Sequence, residues 1–205
     1  MAQEPRPEEI LDITGPEGET LFWHALACVA VEHAPKLQGE LDELWVHYKD
    51  ITDERLLSIV AALCVENAIQ ELLEGVGPGF TQVRDDADFT FSLKIKTARA
   101  LRVIPSRILG SCDLIRQVRN EFAHHLDKKQ LSHLDNKRHL RKLAAQLTGF
   151  NRAMGDGASH GEMFKALVSD VLVALRVYIQ HVRRLREYLG TETFRASFKK
   201  WAEGK

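Results

Sequence analysis

The sequence predicts an all-α protein, a single helical bundle with a long C-terminal helix. Three observations carry this expectation. Apolar residues recur three and four positions apart through most of the chain, without the sustained alternation between turn signals that marks strands. The interruptions of that pattern fall on proline and glycine. Finally, Val168, Val171, Leu175, Tyr178, Val182, Leu185 and Leu189 follow one another alternately three and four apart, the seam spacing of packed helices.

The spacing places helices at 20–33, 38–49, 53–74, 90–103, 105–124, 131–148, 160–189 and 191–202. Residues 1–18 read as an acidic flexible arm, 19–152 as the helical core, and 153–205 as the long C-terminal helix and tail packing on it. Pro35 and Gly39 close the first helix, Thr52 and Asp53 offer N-caps to the third, and Pro105 opens the fifth. GVGPG at 75–79 lacks both the GxGxxG spacing and a following Lys-Ser/Thr, so it reads as a turn and not a phosphate loop. MGDGASHGE at 154–162 reads as a flexible linker. The seam of the 160–189 helix is expected to pack within one chain, since three heptads are short for an independent coil. Arg176, Arg183, Arg184 and Arg186, off the seam, are expected to be solvated.

With 205 residues, 44% of them hydrophobic, the chain can bury a sizeable core. Cys28, Cys64 and Cys112 are odd in number, far apart and set among apolar neighbours, which suits small buried hydrophobes in a reducing compartment. The N-terminal MAQEPRPEEI has no basic leader, and no uninterrupted apolar run approaches the roughly 20 residues that span a bilayer. A cytoplasmic protein without membrane contact is expected. Residues 1–90 hold 5 Lys+Arg against 19 Asp+Glu, and residues 91–205 hold 23 against 10, so halves of −14 and +13 compose the net −1. Either the second half faces a polyanion or the two halves pack on one another.

The stretch VRNEFAHH at 118–125 concentrates the candidate chemistry. At about 100° per residue, Leu114, Val118 and Phe122 form the core stripe, with Arg119 on its flank. Asn120 and His124 then share a face turned away from the core, while His125 points back as a packed or capping residue. An arginine fork grips phosphate oxygens, and an imidazole moves protons near neutral pH. With RNA the neighbouring 2′-hydroxyl supplies the nucleophile, so the pair needs no metal or other cofactor. Five residues on an ideal helix nevertheless separate Arg119 from His124 by about 140°. Convergence requires the helix to end at His124 or a second copy to complete the site. His124, His125, His133 and His139 lack the spacing of a metal site, so none is expected.

R-N-E-F-A-H at 119–124 resembles the R-x4–6-H motif of the HEPN superfamily. The wider context, FTFSLKIKTARALRVIP followed by LGSCDLIRQVRNEFAHH, is similar to the mannitol operon repressor-like families, the resemblance covering residues 53–126. It implies helical domains that form a homodimer with facing motifs. It also implies an acidic residue on an upstream helix, matched here by Glu66 in LLSIVAALCVENAIQELL, a supporting residue with Arg119 as its expected partner. Glu66, Asn67, Gln70 and Glu71 make an equally plain solvated stripe. Two functions follow. One is a metal-independent endoribonuclease or RNA-binding module with Arg119 as phosphate clamp, His124 as general acid/base and Asn120 orienting one of them. The other is a non-catalytic regulator of the mannitol operon repressor type, acting through a protein partner, with Arg119 held by Glu66. No basic helix-turn-helix supports direct DNA reading.

Overall fold

A computed structural model of the chain describes residues 48–134 and 158–189, together with Gly39, Glu43, Val46 and Lys142. Four α-helices compose this part: α1 Glu54–Val76, α2 Phe91–Ala100, α3 Ser106–His124 and α4 His160–Leu189, with short 3-10 turns at Pro78–Thr81 and Leu131–His133. There is no strand among the described residues, and the protein is all-α. The helices expected at 20–33 and 191–202, the arm 1–18, Cys28 and His139 lie outside the described residues. In the 38–49 segment Gly39, Glu43 and Val46 are helical and 48–50 turn. The helix expected to start at 131 begins instead as the 3-10 turn, and beyond Leu134 only Lys142, which is helical, is described as far as residue 157.

Three of the four helices start where the sequence supplies a side-chain cap, and α3 follows Pro105, which makes no capping hydrogen bond. The Asp53 carboxylate accepts the Leu56 N–H at 2.9 Å, satisfying one of the donors that a helix leaves unpaired at its start. Thr90 does the same for α2 through the Leu93 N–H. Ser159 and Glu162 form a reciprocal capping box: the Glu162 carboxylate accepts the Ser159 N–H at 2.7 Å, and the Ser159 hydroxyl accepts the Glu162 N–H at 3.2 Å. The expected linker 154–162 is corrected accordingly. Its last three residues are the first turn of α4, and 154–157 lie outside the described residues. At the other end of α1, Gly77 donates its N–H to the Leu73 carbonyl and Pro78 opens the 3-10 turn, so GVGPG is a turn.

The core lies between α1 and the other three helices. Leu57, Ala61, Val65, Ala68, Ile69, Leu72 and Leu73 of α1 are buried, and each fully buried leucine or isoleucine contributes about 1.5–3 kcal/mol. α1 packs most extensively on α4, then on α3 and α2. From the α4 seam Val168, Val171, Leu175 and Tyr178 are buried and Val182 is partly so, while the side chains of Leu185 and Leu189 are outside those described. The seam therefore closes the bundle inside one chain. A Cβ on Gly75 would come within 3.1 Å of Val182 Cγ1, which shows how closely the Val182 side chain lies against the α1 backbone there. By length and composition α1 could cross a membrane, but 56% of its most apolar stretch is buried inside the protein, as in a core helix.

Charge complementarity joins the same two helices. Arg176 Nη1 and Arg183 Nη2 of α4 both donate to the Glu71 carboxylate, at 2.6 and 2.5 Å. These two arginines are not merely solvated, as expected of them. Glu71 instead ties the acidic first half to the basic second. Cys64 is half-buried and Cys112 fully buried, both as free thiols, and burial raises the pKa of each.

Candidate functional site at the end of helix α3

Helix α3 ends within the VRNEFAHH stretch. His124 is its last residue, and His125 leaves helical geometry at φ −123°, ψ 84° while donating its N–H to the Glu121 carbonyl. Val118 and Phe122 are buried, at 2% and 1% exposure, and fix the orientation of the turn. Arg119, Ala123 and His124 are consequently exposed, and Asn120 is half-buried. His125 occupies the capping position, but its side chain is half exposed and lies 3.7 Å from the Glu121 carboxylate instead of packing inward. Termination of the helix at His125 is the physical reason: the extended backbone turns the imidazole off the core stripe.

Of the residues singled out in the sequence, the structure joins Arg119 and Asn120. Arg119 Nη1 donates to Asn120 Oδ1 at 3.1 Å, so the amide restrains the guanidinium. Among the described residues, no carboxylate pairs with Arg119, and His124 has no side-chain partner. Within one chain the two stand on different sides of α3, as helical geometry requires.

Glu66 does not meet Arg119. Its Oε1 accepts from Lys94 Nζ of α2 at 2.9 Å, and Lys94 is the more buried partner, 8% exposed against 25%. The ammonium also stands 5.7 Å from the centre of the Phe89 ring, within reach of a cation–π attraction. The expected Glu66–Arg119 pair is thus corrected: an acceptor beside a buried lysine is taken by that lysine, because an unpaired buried ammonium costs far more than an exposed guanidinium left in water. Sequence reasoning missed Lys94. The signal was present in FSLKIKTA, where Phe91, Lys94, Ile95 and Ala98 fall on one helical face.

A second unforeseen residue is Arg55, in the first turn of α1. Its Nη2 donates to the carbonyls of Leu126 at 2.5 Å and Lys128 at 2.6 Å, and more weakly to that of His125 at 3.4 Å. The neighbouring Glu54 carboxylate accepts the Leu131 N–H. Together they hold the chain that leaves α3 immediately after His124. Nothing in the sequence spacing links residue 55 to 126–131, since the contact depends on how α1 and α3 pack.

No group of three or more His, Cys, Asp or Glu side chains among the described residues could hold a metal ion. Compared with family models, with curated proteins and with solved structures, the chain matches none.

Proposed function

We propose that this protein binds RNA and cleaves it as a metal-independent endoribonuclease of the HEPN type, in the cytoplasm. Arg119 clamps the scissile phosphate, His124 is the general acid/base, and Asn120 orients the guanidinium. The observation that supports this reading is the engagement of Glu66 by Lys94. It leaves Arg119 solvent-exposed, tethered to an amide rather than neutralised by a carboxylate. A homodimer is part of the proposal, because the roughly 140° between Arg119 and His124 on one helix is bridged when the His124 of a second copy faces the first copy's Arg119.

The test is cleavage of a mixed RNA pool by the purified protein in EDTA, with 2′,3′-cyclic phosphate products and single-stranded DNA left intact. Loss of cleavage in both Arg119→Ala and His124→Ala is the expected result; equal products from wild type and both variants would sink the reading. A second reading, a non-catalytic regulator acting through a protein partner, is favoured by a different observation. Leu56, Ile59 and Leu63 expose 50%, 40% and 52% of their surface along one face of α1. Wild type inactive on every RNA tested would give that reading precedence.

A further inference from the structure

The turn between α2 and α3 carries an arginine where backbone geometry asks for glycine. Helix α2 ends at Ala100 with Leu101 as its C-cap. The next residue, Arg102, donates its N–H to the Arg99 carbonyl at 3.1 Å, and Val103 donates to the Ala98 carbonyl at 3.4 Å. This pair of bonds is the Schellman arrangement, whose residue after the cap adopts left-handed geometry and is usually glycine. Arg102 has φ 51°, and it is the only non-glycine residue with positive φ among those described. A side chain there opposes the backbone's preference, so the fold gains nothing locally from arginine at this position.

The surroundings explain what the side chain does. From Phe89 to Cys112 the sequence contains Lys94, Lys96, Arg99, Arg102 and Arg107 and no Asp or Glu. Lys94 is inward and neutralised by Glu66. Lys96, Arg99 and Arg102, three residues apart, are exposed, and among the described residues no carboxylate pairs with any of them. Residues 96 to 102 span about 9 Å at the helical rise. Over that length a nucleic acid strand presents two or three phosphates, at about 3.4 Å of rise per nucleotide. Two of the three cations are arginines, whose planar forks match phosphate oxygens bidentately.

We propose that Lys96, Arg99 and Arg102 form a ridge that binds the phosphate backbone of single-stranded RNA, independent of base sequence. The ridge rests on the reading of the protein as RNA-binding and extends it to a surface separate from Arg119 and His124. It holds the strand electrostatically and makes no contact with the reacting atoms.

The test uses the full chain and a fluorescein-labelled, fully 2′-O-methylated RNA of mixed sequence, which lacks the nucleophile and therefore reports binding alone. Arg102→Gly relieves the left-handed strain, so its Tm is expected to match or exceed that of wild type while RNA affinity falls; loss of fold cannot mimic that combination. In Lys96→Gln/Arg99→Gln/Arg102→Gly, affinity falls further, and the dependence of log Kd on log salt becomes shallower by about 0.7 for each cation removed. The proposal is overturned if the triple variant keeps the wild-type affinity and salt slope, if wild type does not bind the RNA, or if polyglutamate displaces the RNA as well as unlabelled RNA does, which would mark an acidic protein as the partner. Wild type that binds through the ridge but leaves unmodified RNA intact would remove the endoribonuclease reading and leave the ridge standing.

Discussion

Glu66 and Lys94 meet at 2.9 Å between α1 and α2, with the lysine almost completely withdrawn from water and the carboxylate a quarter exposed. The asymmetry determines what each substitution costs. Glu66→Gln strands a buried ammonium and is expected to destabilise the protein by about 1–3 kcal/mol. Lys94→Met keeps the aliphatic stem among its apolar neighbours and leaves a carboxylate that water can still reach, so it should cost less. Denaturant unfolding of the two variants checks the order; a larger loss for Lys94→Met would show that the carboxylate, not the ammonium, carries the burial cost.

Arg55 is expected to matter to the end of α3 more than to the bundle as a whole. Arg55→Leu removes the donor shared by the carbonyls of His125, Leu126 and Lys128. Hydrogen exchange should then accelerate at the amides of residues 125–131 while those of α4 stay protected. Global stability should fall by about 1–2 kcal/mol, the worth of charged-donor bonds at a partly exposed site. Uniform acceleration across all four helices would mean that the clasp supports the whole fold.

The Glu162 capping box introduces a pH dependence of known sign. The Glu162 pKa is lowered from the ordinary carboxylate value, chiefly by the Ser159 backbone N–H it accepts and then by the Ser159 hydroxyl. Its stabilisation is therefore fully present above the ordinary carboxylate pKa and is lost as pH falls through the lowered one. Glu162→Gln should remove that part of the acid dependence, so wild type and variant Tm converge toward low pH. A constant gap between the two Tm curves would assign Glu162 a role unrelated to its charge.

For catalysis, His124→Ala is expected to lower RNA cleavage by about 10²–10⁴-fold, the usual contribution of a positioned acid/base. His125→Ala should leave cleavage nearly unchanged, because its imidazole faces Glu121 at the rim of the helix end. A His125 effect equal to that of His124 would exchange their roles. Single-turnover rates across a pH series provide the measurement.

The described helices were legible because their signals are local. Asp53 and Pro105 punctuate the chain at the starts of α1 and α3, and the three-four spacing of α4 identifies its buried face from the sequence alone. The exposure of His124 and the core role of Phe122 were equally readable from helical phase. What escaped was the pairing of charges across helices. The sequence points Glu66 to Arg119, whereas the buried Lys94 takes it, a choice set by how α2 packs on α1. Glu71 collects arginines from more than a hundred residues away, and Arg55 grips carbonyls that carry no side-chain signature at all. Such contacts depend on which helices become neighbours, a property of the assembled bundle rather than of any window of sequence.

The partnership of α1 with α4 also sets a timetable for the newborn chain. Glu71 bonds to Arg176 and Arg183, so the face of α1 that α4 seals has no cover until residues over a hundred positions later have been translated. At about 5–20 residues per second, that interval lasts some 5–20 seconds. Throughout it, one of the most apolar helices of the protein waits outside the ribosome with a sticky side open to chaperones or to its own neighbours on the same message.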